Sequence, residues 1–226
     1  MSVLAVFAAI AIALIPRGRE QAERMKCRDC LKALGQAPRI FADDHGGKFP
    51  YGATNSLAFT NETAAWLHYT AMWQEIIAPI PLACPADRGR YTNRADFFTT
   101  SRTITNEAGE IVRFTSSREG SGASLRALNE IQNRGVSYFI ALETDAASHP
   151  SALLMGDRDL STNTASVRGN VLAFGSSNPP SWTSLIHRDG GNLLFVDGSV
   201  EWTTTSQLHQ RVATNGVANN RLLMPW

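Results

Sequence analysis

His187-Arg188-Asp189-Gly190-Gly191-Asn192-Leu193-Leu194-Phe195-Val196-Asp197-Gly198-Ser199-Val200-Glu201-Trp202 reads as a β-hairpin with its loop at Asp197-Gly198. This dipeptide stands between two apolar runs and favours a two-residue type I′ turn, in which both central residues take φ > 0. That turn predicts Val196 opposite Ser199, Phe195 opposite Val200, Leu194 opposite Glu201 and Leu193 opposite Trp202. One face would then hold Leu193, Phe195, Val200 and Trp202, all apolar, and the other a mixed set, Leu194, Val196, Ser199 and Glu201. A slip of one residue would scramble this division. A hairpin with one apolar face has to be covered by other parts of the chain.

The 226-residue sequence is long enough for one large domain or a domain with an anchor. Net charge is +1, from 21 basic and 20 acidic residues, so no basic face for nucleic acid is implied. Three cysteines are too few for a disulfide-dense scaffold.

Ser2 to Ile15 is a run of fourteen uncharged residues, followed by Pro16 and then a charged stretch from Arg17 to Arg28. Fourteen is short against the roughly 20 residues that cross a bilayer core. A cleaved signal peptide lacks its basic flank and small-residue cleavage site, and a core helix rarely uses an unbroken apolar run at a terminus. The favoured reading is an apolar membrane-embedded segment over 1–16, continuing into an amphipathic helix over 17–45. Cys27, Leu31, Leu34 and Phe41 supply that helix's apolar stripe. Pro38 should kink or interrupt it, and Gly46-Gly47 should cap its end.

The globular part, 46–226, is expected to be α+β, with an antiparallel sheet laid against the amphipathic half of the long helix. Trp66, Tyr69, Trp73, Ile76 and Ile77 predict a helix ended by Pro79 and Pro81. Residues 85–135 read as a loop-rich insertion, with an edge hairpin at Ile111–Phe114 turning at Asn106-Glu107-Ala108-Gly109. Strands are expected over Val136–Leu142, Ala152–Asp157 and Asn170–Phe174, giving about five with the closing hairpin.

Several spaced motifs resemble type IV pilin-like proteins and the pseudopilins of type II secretion. They are the long N-terminal helix, Cys27 to Leu34 with Phe41-Ala42-Asp43-Asp44 and Gly47-Lys48-Phe49-Pro50, Cys84-Pro85-Ala86-Asp87-Arg88, Ser137-Tyr138-Phe139, Gly156-Asp157-Arg158, and Asn220-Arg221-Leu222. His187, then nine residues, then Asp197-Gly198 resembles the C-terminal signature of one bacterial prepilin-type group. The resemblance implies a non-enzymatic structural or assembly subunit held in the inner membrane by one N-terminal anchor. Its domain would be displayed outside the cytoplasm, and its partners would be like subunits or secretion machinery. The resemblance also implies a leader ending in Gly-Phe-Thr-Leu-x-Glu. No such motif occurs here, so either the coding start lies upstream or this member keeps the rod without the processing.

Cys27 stands at the group's cysteine position, and a structural bridge from Cys27 to Cys84 is the favoured expectation. Free buried thiols, and metal or redox chemistry by Cys27-x-x-Cys30, remain as alternatives. His187, Asp157, Asp159, Asp189 and Asp197 form the best polar set. The favoured reading is a structural clamp in which His187 and Asp197 bond each other or the backbone beside Gly198. Weak candidates for a divalent metal are Asp157, Asp159, His187 and Asp189, and no resident cofactor is expected. Two other functions stand beside the assembly subunit. One is a membrane-tethered envelope hydrolase or metal-binding protein using His187 and nearby Asp residues. The other is a sugar- or peptide-binding module using Trp66, Trp73 and Trp182.

Overall fold

A computed structural model describes residues 3–53, 62, 64–76, 82–91, 102–105, 111–114, 131–142, 144–161, 163, 166–168 and 170–226. Among these, the side chains of 3–17, 102–105, 111–114 and 166–168 are not described. The fold is α+β. Helix α1 (Val3–Leu34) is one 32-residue rod. Among the described residues no helix is long and apolar enough to cross a membrane. The chain breaks at Gly35-Gln36 and resumes as α2 (Ala37–Asp44), with Pro38 in its first turn, where a missing N–H costs nothing. Gly46 and Gly47 take φ of 62° and 80°, and the Gly47 N–H closes α2 on Ala42 O.

The predicted helix from Trp66 is shorter than expected. α3 spans Ala65–Ala71 and passes into turns over 72–75, while Ile77, Pro79 and Pro81 lie outside the described residues. The insertion contributes α4 (Arg88–Tyr91), strands β1 (Arg102–Thr105) and β2 (Ile111–Phe114), and a 3-10 turn at Gln132–Gly135. β1 and β2 form their own two-stranded ribbon and do not extend an edge of the main sheet. The turn proposed at Asn106–Gly109 lies outside the described residues.

Among the described residues the main sheet has seven strands where about five were expected. They are β3 (Tyr138–Ala141), β4 (Leu153–Asp157), β5 (Ser166–Arg168), β6 (Val171–Phe174), β7 (Gly191–Phe195), β8 (Val200–Thr203) and β9 (Asn220–Leu223). Their order is β5-β6-β9-β3-β4-β7-β8, and every pairing is antiparallel. Helix α5 (Thr205–Thr214) follows β8. Thr204 caps it: its hydroxyl accepts from the Gln207 N–H, and the Gln207 side chain returns a bond to the Thr204 N–H.

The closing hairpin forms, but one residue out of the expected register. Leu194 faces Val200, Leu193 faces Glu201 and Asn192 faces Trp202. The loop has three residues, because Phe195 and not Val196 pairs with Ser199, and of the loop residues only Gly198 has positive φ, at 82°. Asp-Gly suits this three-residue turn as well as type I′, since each places glycine in the left-handed region.

The register decides which residues meet α1. Ile140, Met155, Leu194 and Val200 pair in one apolar row across β3, β4, β7 and β8. Cys27, Leu31 and Leu34 of α1 belong to the same buried cluster as this row. Gly35 passes so close to Leu194 that an added Cβ would lie 2.7 Å from its Cδ2. Leu193 and Phe195 point to the opposite face and pack with Leu208 and Val212 of α5. Leu194 and Val196 of the expected mixed face are therefore buried as well, and the sheet is covered by helices on both sides.

Arg39 of α2 holds the hairpin tip by donating to Val196 O at 2.6 Å. A Cβ on Gly198 would fall 2.8 Å from the Arg39 Nη1, at a φ that L-residues resist. Gly198→Ala should therefore lower stability by about 1–2 kcal/mol. Gly198→Asn, which tolerates the left-handed region, should lose less from φ but still press on Arg39. Urea midpoints of the two variants check the order.

Candidate functional site

One row along the sheet from the apolar row lies a polar one. Tyr138 of β3 pairs with Asp157, the last residue of β4, and Asn192 of β7 pairs with Trp202 of β8. Asp157 and Asn192 join the two halves: the Asn192 backbone N–H and its side-chain Nδ2 donate to Asp157 Oδ2 at 2.7 and 2.9 Å. β4 carries an irregularity between Leu153 and Met155. Leu153 packs with the α5-side cluster, while Leu154 and Met155 both join the α1-side cluster. From Met155, the alternation of a strand puts Asp157 on the α1 face.

Cys27 stands over this row from α1, and Tyr138 Oη donates to its carbonyl at 3.5 Å. Cys27 is bonded to Cys84 across 57 residues, with Cα atoms 5.0 Å apart. The bridge ties the rod to the domain. Cys30, the other half of Cys27-x-x-Cys30, is free, and burial, with the Asp29 charge beside it, pushes its thiol up to about 11. Such a thiol is a poor nucleophile at neutral pH, so no C-x-x-C redox pair is set up.

His187 completes the cluster. Its Nε2 lies 3.5 Å from Asp157 Oδ2 and 3.6 Å from Cys84 Sγ, and its ring meets Trp202 edge-on at 5.2 Å. The His187 and Asp157 side chains are 1% and 0% exposed. Asp159 fixes the approach to His187. Its carboxylate accepts the backbone N–H groups of Leu185, Ile186 and His187 and the Thr183 hydroxyl. Arg24 closes the outer side, 4.4 Å over the Trp202 ring and bonded to Glu20 at 2.5 Å.

The structure separates the polar residues singled out from sequence. His187 and Asp157 meet, and Asp159 serves as a backbone clamp. Asp189 is 79% exposed, and its contact is with Arg24 at 3.9 Å. Asp197 does not meet His187. It accepts from the Ser199 N–H and hydroxyl within its own loop. Slight burial would raise its carboxyl, but those bonds and the Arg39 charge hold it below the ordinary range. Of the two forms expected for the clamp, a direct His187–Asp197 bond is absent and the bond from Asp197 to backbone is present, while Arg39 holds the hairpin tip and Asp159 the His187 loop. The four-member metal set is also corrected. Asp157 and His187 stay together at 3.5 Å, and His187 in turn groups with the sulfurs of Cys27 and Cys84, a three-residue set that contains neither Asp159 nor Asp189.

Sequence reasoning missed Asp87, Ser137 and Arg158 as a group, although each lay inside a quoted motif. Asp87 is buried, accepts the Ser137 hydroxyl at 2.8 Å, and takes a two-pronged contact from Arg158 at 2.8 and 3.1 Å. This pairing fastens the Cys84 loop to the end of β4. Cys84-Pro85-Ala86-Asp87, Ser137-Tyr138 and Asp157-Arg158 therefore come together at a single place. The proposed tryptophan platform does not form: Trp73 and Trp182 are buried, and Trp66 packs on the core.

Burial acts on both members of the inner pair. It raises Asp157 from 3.8 to about 7, and it lowers His187 from 6.5 to about 4 with help from the Arg24 charge. From about pH 4 to 7 the folded pair holds one proton, on the carboxyl. The unfolded pair also holds one over nearly the same span, on the imidazole, so the two shifts nearly cancel in the stability.

Single substitutions should uncover them. His187→Gln leaves only the raised carboxyl, so the folded chain binds more protons and stability falls as pH rises from about 4 to 7. Asp157→Asn leaves only the lowered imidazole, so the unfolded chain binds more and stability rises from about pH 4 to 6.5. Slopes on the order of 1 kcal/mol per pH unit and opposite in sign are expected from denaturant titrations. Reducing the bridge in chelator-treated buffer should lower stability by about 4 kcal/mol, the chain-entropy value for a loop of this size. No protein family, curated protein or solved structure matches the chain.

Proposed function

We propose that this chain is a non-enzymatic, pilin-like structural or assembly subunit of a type II secretion or type IV pilus-like envelope system. The observation that carries this reading is the continuity of α1. A single helix runs from Val3 to Leu34, and its second half is built into the domain core through Cys27, Leu31 and Leu34, each 0–1% exposed. A rod fastened so firmly at one end delivers its apolar first half, Ser2 to Ile15, to another surface: an inner membrane, or the like helices of neighbouring subunits. The Cys27–Cys84 bridge suits an oxidising compartment outside the inner membrane. The meeting of the quoted cysteine, Ser-Tyr-Phe and Gly-Asp-Arg motifs around one row of the sheet further supports the resemblance.

The two other readings have less support. A hydrolase would need its His–carboxylate pair beside an accessible cleft, and His187 and Asp157 are enclosed. A sugar or peptide platform would need two tryptophans on one open surface.

Fractionation tests the proposal. The full chain should sediment with inner membranes, and a chain lacking residues 1–16 should be released while keeping its circular dichroism and its Cys27–Cys84 bridge. Protease added to spheroplasts should digest the domain of the full chain. A full chain found in the soluble fraction, or a domain protected in intact spheroplasts and cut only after lysis, would overturn the reading.

A further inference from the structure

We propose that reduction of the Cys27–Cys84 bridge opens a four-ligand site for a thiophilic divalent cation, with zinc the best fit to Cys27, Cys84, His187 and Asp157. The inference does not depend on the assembly-subunit reading.

The ligand atoms of Cys27, Cys84 and His187 lie within 4.8 Å of one another, and all three residues are buried. The contact of His187 Nε2 to Asp157 Oδ2 is long for a hydrogen bond at 3.5 Å, and its distance to Cys84 Sγ is 3.6 Å, ordinary for a contact with sulfur. These two distances match edges of a tetrahedron around zinc, and Asp157, which lies outside the close group of Cys27, Cys84 and His187, has to draw toward the sulfurs to complete it. Zn–S near 2.3 Å and Zn–N or Zn–O near 2.0–2.1 Å put S···N at about 3.6 Å and N···O at about 3.4 Å. Once the covalent bond is gone, the sulfurs need to part to about 3.8 Å, the S···S edge of the same figure.

A second observation points to a ligand independently of the cysteines. Asp157 Oδ1 is fully buried and has no hydrogen-bond partner, although Oδ2 takes two. An orphaned carboxylate oxygen in an apolar core is costly, and a cation would satisfy it. The supports expected around a metal site are also present. Asn192 orients the Asp157 carboxylate, Asp159 pins the backbone at His187, and Trp202 packs on the imidazole. Two thiolates and one carboxylate leave a dication with net charge −1, and Arg24 stands close enough for its charge to act on His187.

The chemistry balances with a dithiol as reductant. Two electrons and two protons pass to the bridge, the S–S bond breaks, and the dithiol closes to its own disulfide. Cys27 and Cys84 are left as thiols. Zinc then displaces both thiol protons, and the Asp157 proton where one is held, while His187 binds as the neutral imidazole.

The test uses the full chain, oxidised or reduced with a dithiol that is then removed, and titrated with zinc against a chromophoric chelator and with cobalt(II) alone. The reduced chain should take up one equivalent of zinc, regain the thermal stability lost on reduction, and give the visible bands of tetrahedral, thiolate-bound cobalt. The oxidised chain should do none of these. His187→Gln and Asp157→Asn should each weaken zinc binding on the order of 10–100-fold and alter the cobalt spectrum, whereas Cys30→Ser should leave both unchanged. The proposal fails if the folded reduced chain binds no zinc, or if zinc does not restore a chain that reduction has unfolded. It fails equally if the urea-unfolded chain binds as tightly, or if His187→Gln binds with unchanged affinity and spectrum.

Discussion

Everything in this molecule depends on the burial of one helical stripe across four strands. Cys27, Leu31 and Leu34 lie one turn apart on α1 and bury in a single cluster with Met155 and Leu194 of the sheet. Removing such side chains from water is worth roughly 1.5–3 kcal/mol each, and the Cys27–Cys84 bond fixes where along the rod the contact is made. Because a helix and a sheet meet along one line, fixing Cys27 over the polar row leaves Gly35 over Leu194. The break at Gly35-Gln36 and the start of α2 follow from that close approach.

The same constraint explains the hairpin. Its two candidate loops differ by a single residue in register, and both accept Asp-Gly. In the register adopted, Leu194 and Val200 sit under α1, Leu193 and Phe195 sit under α5, and Glu201 reaches Arg211 of α5 at 2.6 Å. The expected register would have put Phe195 beside Val200 on one face and Leu194 beside Glu201 on the other. With helices on both faces, strict alternation of apolar and polar residues is no longer required of β7, and its five residues are all buried.

At the polar row, packing and chemistry oppose each other. A carboxylate with one oxygen unpartnered, an imidazole and a sulfur pair are enclosed where uncharged groups are favoured. Neutralisation of Asp157 and His187 by burial is one way of tolerating this arrangement, and the disulfide does the same for the two sulfurs. The cluster is thus held with little net charge in an interior that would penalise ions. Its exact composition is what gives it a second use when the sulfurs are released.

Some of this was legible along the chain. The stripe of α1 and the glycines that close α2 were, because helical periodicity and left-handed φ are local properties. The strands at Tyr138, Leu153, Val171 and Leu193 were, through their apolar runs. Helix α5 announced itself only by Thr204 and Gln207, since two buried side chains, Leu208 and Val212, make a faint stripe. β5 and β9, at three and four residues, carry too little pattern to stand out. His187 and Asp157 could be named as candidates. Asp159, Asp189 and Asp197 could not be distinguished from them, because a carboxylate gives no sign in sequence of whether it faces a core, a backbone loop or water. By itself the sequence determined the helical stripe, the longer strands and the residues able to do chemistry. Only the tertiary structure decided the hairpin register and the joining of Cys84 to His187 across 103 positions. Both depend on which faces two distant helices cover, and that is settled by burial over the whole chain.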